Sequence, residues 1–209
     1  MTIVEPMTML TDYLLGAVCL GLGVHLLVAR RLIAAALALL GIASAAFVGG
    51  AYHGLGAVLG ESTLASLWLA TLVGIGVSNF FLVVAVLNVT LAARHRRVWI
   101  AIATAQLLGY LLWIVWNQDF RVAIYDYGAG MAAVVGFCAV AAWRGKGVFA
   151  RWMIAGVLVS MAASAVQIGR VALSASFNHN DLYHVIQIGA VALFHQAFVR
   201  AEAVYNSAG

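Results

Sequence analysis

Long uncharged runs decide the fold of this chain, and residues 64–93, LASLWLATLVGIGVSNFFLVVAVLNVTLAA, are the clearest example. The run contains no Asp, Glu, Lys, Arg or His. About 20 helical residues, each rising about 1.5 Å, cross a hydrocarbon core of ~30 Å. An uncharged run of this length therefore predicts a helix that spans a membrane.

Comparable runs recur on both sides of this segment and are separated by short polar or charged turns. The chain has 65% hydrophobic and 9% charged residues, with a mean hydropathy of +1.04, whereas a soluble domain carries about 25% charged residues. We therefore expect an all-α, polytopic membrane protein with one seven-helix domain over residues 1–209. The predicted spans are 10–29, 32–53, 63–93, 98–116, 121–143, 148–174 and 182–200.

The distribution of basic residues predicts the orientation. Nine of the 11 Lys and Arg residues lie at the ends of spans one, three, five and seven, and such residues stay on the cytoplasmic side. We expect an integral protein of a bacterial-type inner membrane with its N-terminus outside and its C-terminus in the cytoplasm. The same loops account for the net charge of +4, so no nucleic-acid partner is expected. The nine residues are Arg30, Arg31, Arg94, Arg96, Arg97, Arg144, Lys146, Arg151 and Arg200.

Ionisable side chains concentrate near the opposite, extracytoplasmic ends of the spans. Such groups are costly at membrane depth and therefore mark functional sites. The inner halves are nearly free of them apart from His25 and His195. The shared depth of the outer set predicts one polar site, formed by Tyr52, His53, Glu61, Tyr125, Asp126, Gln167, Arg170, His179, Asn180, Asp181 and His184.

The segment 178–187, NHNDLYHVIQ, is the sharpest motif. If a helix begins near Asn180 or Asp181, His184 shares a face with both, while His179 precedes the helix and can fold back. Imidazole and carboxylate ligands at about 2.0–2.2 Å suit Zn²⁺. We expect zinc bound by His53 and His184, with His179 or Asp181 completing the ligands. Alternatively, residues 178–181 cap the helix and His184 is hydrogen-bonded in the core.

Two acidic residues are the candidates for catalysis. Asp126 is expected either to pair with Arg170 or to orient a zinc-bound water. Glu61 or Asp126 would accept the proton of that water, and Arg170 could also bind an anionic group of a substrate. The other candidates for substrate contact are Tyr52, Tyr125 and Asn180.

Seven spans, His53 at the end of span two and His184 in span seven are similar to the alkaline ceramidase and progestin/adipoQ receptor superfamily. Residues 177–184 resemble a bacterial-type branch of it that is not characterised. The resemblance implies a seven-helix membrane hydrolase in which zinc, held by His53 and His184, cleaves an amide or ester of a lipid. Asn180 and Gly49 stand where that superfamily has a histidine and a serine.

Two alternatives remain open at this point. The first is a membrane receptor or transport protein that binds a metal without turnover. The second is a b-type cytochrome in which His53 pairs with His184 and His25 with His195 as axial ligands of two haems. The sequence does not decide the oligomeric state.

Overall fold

The computed structural model describes residues 3–28 and 33–207, with side chains through Ala201. Seven helices make up this part of the chain, and all seven are long and apolar enough to cross a membrane. The predicted all-helical, seven-helix architecture is confirmed. The helices are α1 (Pro6–Val28), α2 (Ile33–Leu55), α3 (Glu61–Thr90), α4 (Ala93–Trp116), α5 (Phe120–Trp143), α6 (Gly147–Gly169) and α7 (His179–Ser207).

The helix ends follow local chemistry, and several differ from the predicted span limits. α1 begins at Pro6, a residue suited to a first helical turn because it has no N–H to satisfy. α4 begins at Ala93, so its first turns include residues 94–97, which were predicted to lie in a turn. The predicted end of span one at 29 and start of span two at 32 lie outside the described residues.

The sixth helix is shorter than predicted. It ends at Gly169 because Arg170 adopts the left-handed conformation, with φ 50° and ψ 40°. Its backbone N–H donates to the carbonyl of Gln167 at 3.3 Å. An isolated bridge between Ser174 and Phe177 then turns the chain towards α7. Residues 170–174 are therefore a connection rather than the last turns of a span.

Six helices form a closed ring in the order α1, α2, α3, α5, α6, α7, and α7 returns to α1. Small residues allow the close contacts, as at Ser78, whose hydroxyl donates to the carbonyl of Ala38 at 2.7 Å. α4 lies outside the ring against α3 and α5. Gly76 admits the ring of Tyr110 there, because a Cβ at Gly76 would lie 2.3 Å from that ring.

Candidate functional site

The main cavity lies inside the ring, near the end of the bundle where α1, α3, α5 and α7 begin. This end is called the Glu5 end, and the opposite one the His25 end. The cavity has a volume of about 320 Å³, within the range of small-molecule pockets. Each of the six ring helices contributes to its wall. Its ionisable lining residues are Glu5, Asp12, Tyr52, His53, Tyr127, Tyr183 and His184.

The first polar group of the cavity joins α1 to α7. Asp12 Oδ1 lies 3.1 Å from His184 Nε2, and Thr11 Oγ1 lies 3.1 Å from His184 Nδ1. Asp12 is 5% and His184 9% exposed. Both ring nitrogens of His184 therefore have side-chain partners in the second turn of α1.

The second polar group joins the segment before α1 to the end of α2. Glu5 Oε2 lies 2.8 Å from His53 Nδ1. The backbone N–H of Glu5 also donates to the carbonyl of His53 at 3.3 Å. The rings of Tyr52 and Trp68 pack edge-on against this imidazole, at centroid distances of 5.2 and 6.5 Å. The chain entering α1 thus fixes a carboxylate beside a cavity-lining histidine.

The start of α7 is a helix cap, as the alternative interpretation of residues 178–181 predicts. Asn178 Oδ1 accepts from the N–H of Asn180 at 2.7 Å, and Asp181 Oδ2 accepts from the N–H of Asn178 at 2.7 Å. This reciprocal arrangement is a capping box. The hydroxyl of Thr8 donates to Asp181 Oδ1 at 2.8 Å. Both oxygens of the Asp181 carboxylate are therefore occupied, and Asp181 is fully buried.

Side-chain amides and hydroxyls continue the polar wall along α6 and α7. Gln167 Nε2 donates to Asn180 Oδ1 at 2.8 Å, while Gln167 Oε1 is buried and has no hydrogen bond within the described part of the chain. Ser160 donates to Gln187 Oε1 at 2.9 Å, and Gln187 Nε2 donates to Tyr183 Oη at 3.3 Å. These groups offer a bound molecule hydrogen-bonding positions on one side of the cavity.

Farther from the Glu5 end, apolar side chains make up most of the cavity wall. On α2 its wall extends from His53 down to Ile42, eleven residues away, which corresponds to about 16 Å of helix. The hydroxyls of Thr71, Ser78 and Ser164 donate to helix carbonyls. The other lining residues of the lower part include Leu15, Ala45, Ala46, Ile75, Ile124 and Val191.

Asp126 lies outside this cavity, on the side of α5 that faces α3 and α4. Asn79 Nδ2 donates to its Oδ2 at 2.8 Å, and Gln106 Nε2 donates to its Oδ1 at 3.0 Å. The expected pairing with Arg170 is replaced by these two amides, since Arg170 is exposed where α6 ends. The neighbouring Tyr127 faces the main cavity instead.

Of the remaining predicted site residues, some line the main cavity and others do not. Tyr52, His53, Asn180 and His184 line the main cavity. Glu61 and Tyr125 are exposed, and His179 is half-buried at the first position of α7. None of these last three is among the residues that line the cavity in the described part of the chain.

Glu5, Thr8, Thr11 and Asp12 were missed by the sequence interpretation. A signal was present, because Thr8, Thr11 and Asp12 are spaced i, i+3, i+4 and so share one face of α1. Their partners on α7 could be identified only once α1 and α7 were known to be neighbours. A Cβ at Gly49 would lie 3.5 Å from Asp12 Oδ2, so Asp12 lies beside the position where the resembling superfamily has a serine.

The histidines at the His25 end contact each other directly. His195 Nε2 lies 3.0 Å from His25 Nδ1. Two axial ligands of one haem iron need about 4 Å, since each metal–nitrogen bond measures about 2.0–2.1 Å. At the other end His53 and His184 face carboxylates. The arrangement therefore does not fit the two-haem alternative.

Metal ligation by the predicted residues also meets a geometric obstacle. Among the described residues, no group of three or more His, Cys, Asp or Glu side chains is placed to hold a metal ion. Both ring nitrogens of His184 and both carboxylate oxygens of Asp181 already have polar partners within 3.1 Å. The donors are of the kind that zinc prefers, but their present arrangement does not fit a three-ligand centre.

Comparison with known proteins gives one match. The profile of a family described as a family of unknown function (DUF6962) matches residues 7–203. No curated protein matches the chain, and no solved structure matches it.

Proposed function

The chain belongs to the DUF6962 family of unknown function, and from its geometry we propose that it is a multi-pass membrane protein that binds one lipid-like molecule and cleaves an ester or amide bond in it. The observation that carries the proposal is the division of the main cavity. Histidine and carboxylate groups line it at the Glu5 end, and mostly apolar side chains line its deeper part, which reaches Ile42, about 16 Å of helix from His53. An amphipathic molecule fits such a cavity with its polar group beside His53.

Placement in a membrane is supported by the surface of the bundle as well as by helix length. α4, which lies outside the ring, exposes bulky apolar side chains along its whole length, among them Val98, Ile102, Leu112 and Trp116. Lipid covers such surfaces in spanning helices. Basic residues concentrate at the His25 end, so this end is the cytoplasmic one and the cavity faces the outside. A cytoplasm-specific reporter fused after Gly209 should be active, and a silent fusion would contradict this orientation.

Hydrolysis is supported by the pairing of His53 with Glu5. Glu5 Oε2 lies 2.8 Å from Nδ1, and this contact favours a proton on Nδ1 and leaves Nε2 as the basic nitrogen. Nε2 makes no hydrogen bond within the described part of the chain. A water attacking the carbonyl carbon would transfer its proton to Nε2. The imidazolium, stabilised by Glu5, would then return the proton to the leaving oxygen or nitrogen.

The pair of Asp12 and His184 has a positioning role in this proposal. Their contact, together with that between Thr8 and Asp181, fixes α7 against α1. Asn180 and Tyr183 on α7 are thereby held in the cavity wall. No Lys or Arg is among the described lining residues, whereas Glu5 and Asp12 are. The polar group of the bound molecule is therefore neutral or cationic rather than anionic.

Zinc remains a prediction from the sequence motif and the resemblance, and no step above uses it. Metal analysis of the purified protein tests it independently. One zinc per chain that is lost in both His53→Ala and His184→Ala, but kept in His195→Ala, would mean that these side chains rearrange around a metal. Equal zinc in His53→Ala and His195→Ala, or none in the wild type, would contradict the zinc prediction.

Lipid binding and cleavage are tested together on the full chain in mild detergent. Bound molecules are identified by native mass spectrometry, and release of fatty acid is followed from lysolipids, acylglycerols and acyl amides. Ala46 lines the cavity, so Ala46→Phe should fill it and abolish binding. Ala17 is exposed on α1, so Ala17→Phe is the matched control and should bind as the wild type does.

Lipid binding and bond cleavage are separate parts of the proposal, and different results would contradict each of them. His53→Ala should still bind lipid but release fatty acid at least 10²-fold more slowly, the usual effect of removing a general base. Unchanged release in His53→Ala would remove that residue from the mechanism. Binding without release in the wild type would leave a lipid-binding protein without turnover. Equal binding by Ala46→Phe and the wild type would contradict the cavity as the binding site.

A further inference from the structure

A second, separate site is formed by Asp126, Asn79 and Gln106, here called the Asp126 cluster. It lies where α3, α4 and α5 meet. Besides their bonds to the carboxylate, the two amide groups also donate to the backbone carbonyl of Asp126, at 3.0 Å from Asn79 and 3.1 Å from Gln106. Three helices thus converge on one carboxyl group.

The cluster lies deep along the helices. Gln106 is near the middle of α4, which runs from Ala93 to Trp116. Asn79 is only 2% exposed, while Asp126 and Gln106 are half-buried. A carboxylate at such depth needs compensation, because water is not there to solvate it. The side chains around it are Phe80, Val83, Ala103 and Leu107, with Gly76, and no Lys, Arg or His is among these described neighbours. Amide dipoles alone therefore face the charge.

The cluster also contains a small cavity of about 10 Å³, lined by all three of its members. That is close to the smallest space in which a single water-sized particle fits. Asn79 Oδ1 is buried and makes no hydrogen bond within the described part of the chain. Each carboxylate oxygen accepts one amide hydrogen bond, at 2.8 and 3.0 Å, and so keeps a second lone-pair position. Oxygen acceptors thus remain unused around this space.

We propose that the Asp126 cluster binds one monovalent metal cation, Na⁺ by its size and preference for oxygen, between the Asp126 carboxylate and the Asn79 side-chain carbonyl. A single positive charge neutralises the single carboxylate, whereas a divalent cation would leave a net charge inside the bundle. The small volume fits an ion and excludes a lysine side chain of a partner helix. This site is independent of the function proposed for the main cavity.

Thermal unfolding of the purified full chain tests the proposal. Na⁺ replaces choline at constant ionic strength, and a ligand that binds only the folded state raises the unfolding temperature in a saturable way. We expect a rise of several degrees in the wild type. Asp126→Asn should abolish the rise, and Asp12→Asn, in the main cavity, should retain it.

A second variant tests the same site independently, in case Asp126→Asn does not fold. A Cβ at Gly130 would lie 2.1 Å from Asn79 Oδ1 and 2.8 Å from Asn79 Nδ2, so Gly130→Ala displaces this side-chain amide without changing any charge. It should reduce the apparent Na⁺ affinity at least 10-fold. Broadening of the ²³Na resonance by the wild type, absent with Gly130→Ala, measures the same binding without unfolding.

Three results would overturn the proposal. One is a wild type whose unfolding temperature does not depend on Na⁺. Another is an equal dependence in the wild type, Asp126→Asn and Gly130→Ala. The third is stabilisation by lowered pH with no effect of Na⁺ at any pH, which would identify the cluster as a site for a proton only.

Discussion

The buried carboxylate of Asp12 contacts the imidazole of His184, whereas the half-buried carboxylate of Asp126 accepts hydrogen bonds from two side-chain amides. The first contact borders a cavity of about 320 Å³ and the second a space of about 10 Å³. An imidazole presents two nitrogens and can contact two partners at once, while each of these amides donates to one carboxylate. The first carboxylate therefore joins α1 to α7 beside a space large enough for a ligand, and the second is held where α3, α4 and α5 meet.

Removing the imidazole of His184 should have the largest effect on the free energy of unfolding. His184→Ala leaves Asp12 buried without its partner, and loss of one member of a buried pair costs about 3–5 kcal/mol. The free energy of unfolding, measured by SDS titration in mixed micelles, should fall by that amount. Thermal stability equal to that of the wild type would mean that the Asp12–His184 contact does not hold α1 and α7 together.

Removing one hydroxyl from the same interface should have a smaller effect. Thr8→Val keeps the shape but takes away the donor to Asp181 Oδ1. Hydrogen bonds to charged groups contribute about 1.5–3 kcal/mol, and we expect a loss in that range by the same titration. Thr90→Val is the control, because the Thr90 hydroxyl donates only to the carbonyl of Val86 in its own helix. Equal losses in the two variants would contradict a special role for Thr8.

At the Asp126 cluster, removal of one amide should cost less still. Gln106→Leu leaves Asn79 as a donor to the carboxylate, and Asp126 is half-buried whereas Asp181 is fully buried. We therefore expect a loss of about 0.5–1.5 kcal/mol, below the range for a bond to a fully buried charge. Gln196 is exposed on α7, and Gln196→Leu should change stability by less than about 0.5 kcal/mol. A loss with Gln106→Leu as large as that with His184→Ala would show that the two carboxylates are held alike.

The smallest effect on ligand binding and cleavage is expected where neither region is changed. His195→Ala removes the contact with His25, which is exposed, and one hydrogen bond between neutral groups contributes about 1 kcal/mol. Lipid binding and fatty-acid release should remain at wild-type levels. A loss of either activity would connect the His25 end of the α1–α7 interface to the main cavity.

Sequence reasoning predicted the helices better than the partners of their polar residues. Run length and hydropathy place seven helices because each signal lies within one segment. The end of span six was missed because a left-handed Arg170 has no composition signal. His53 and His184 were predicted as site residues and do line the main cavity.

The faces of the helices explain what the sequence could not predict. Asp126 and Tyr127 are adjacent in sequence, but each step along a helix turns about 100°, so one faces the Asp126 cluster and the other the main cavity. Both residues lie at nearly the same height along α5, so position along the span cannot separate them. Asp12 was missed for a related reason, since its partner His184 lies 172 positions away and only the packing of α1 on α7 brings them together.

Because α1 and α7 close the ring, the main cavity is complete only after α7 has been synthesised. Chains are made from the N-terminus at about 5–20 residues per second, so the 172 positions between Asp12 and His184 correspond to a delay of roughly 9–34 s. Over that time the Asp12 carboxylate lies on a helix whose eventual partner does not yet exist. The contact between α1 and α7, and the cavity beside it, can therefore form only late in synthesis.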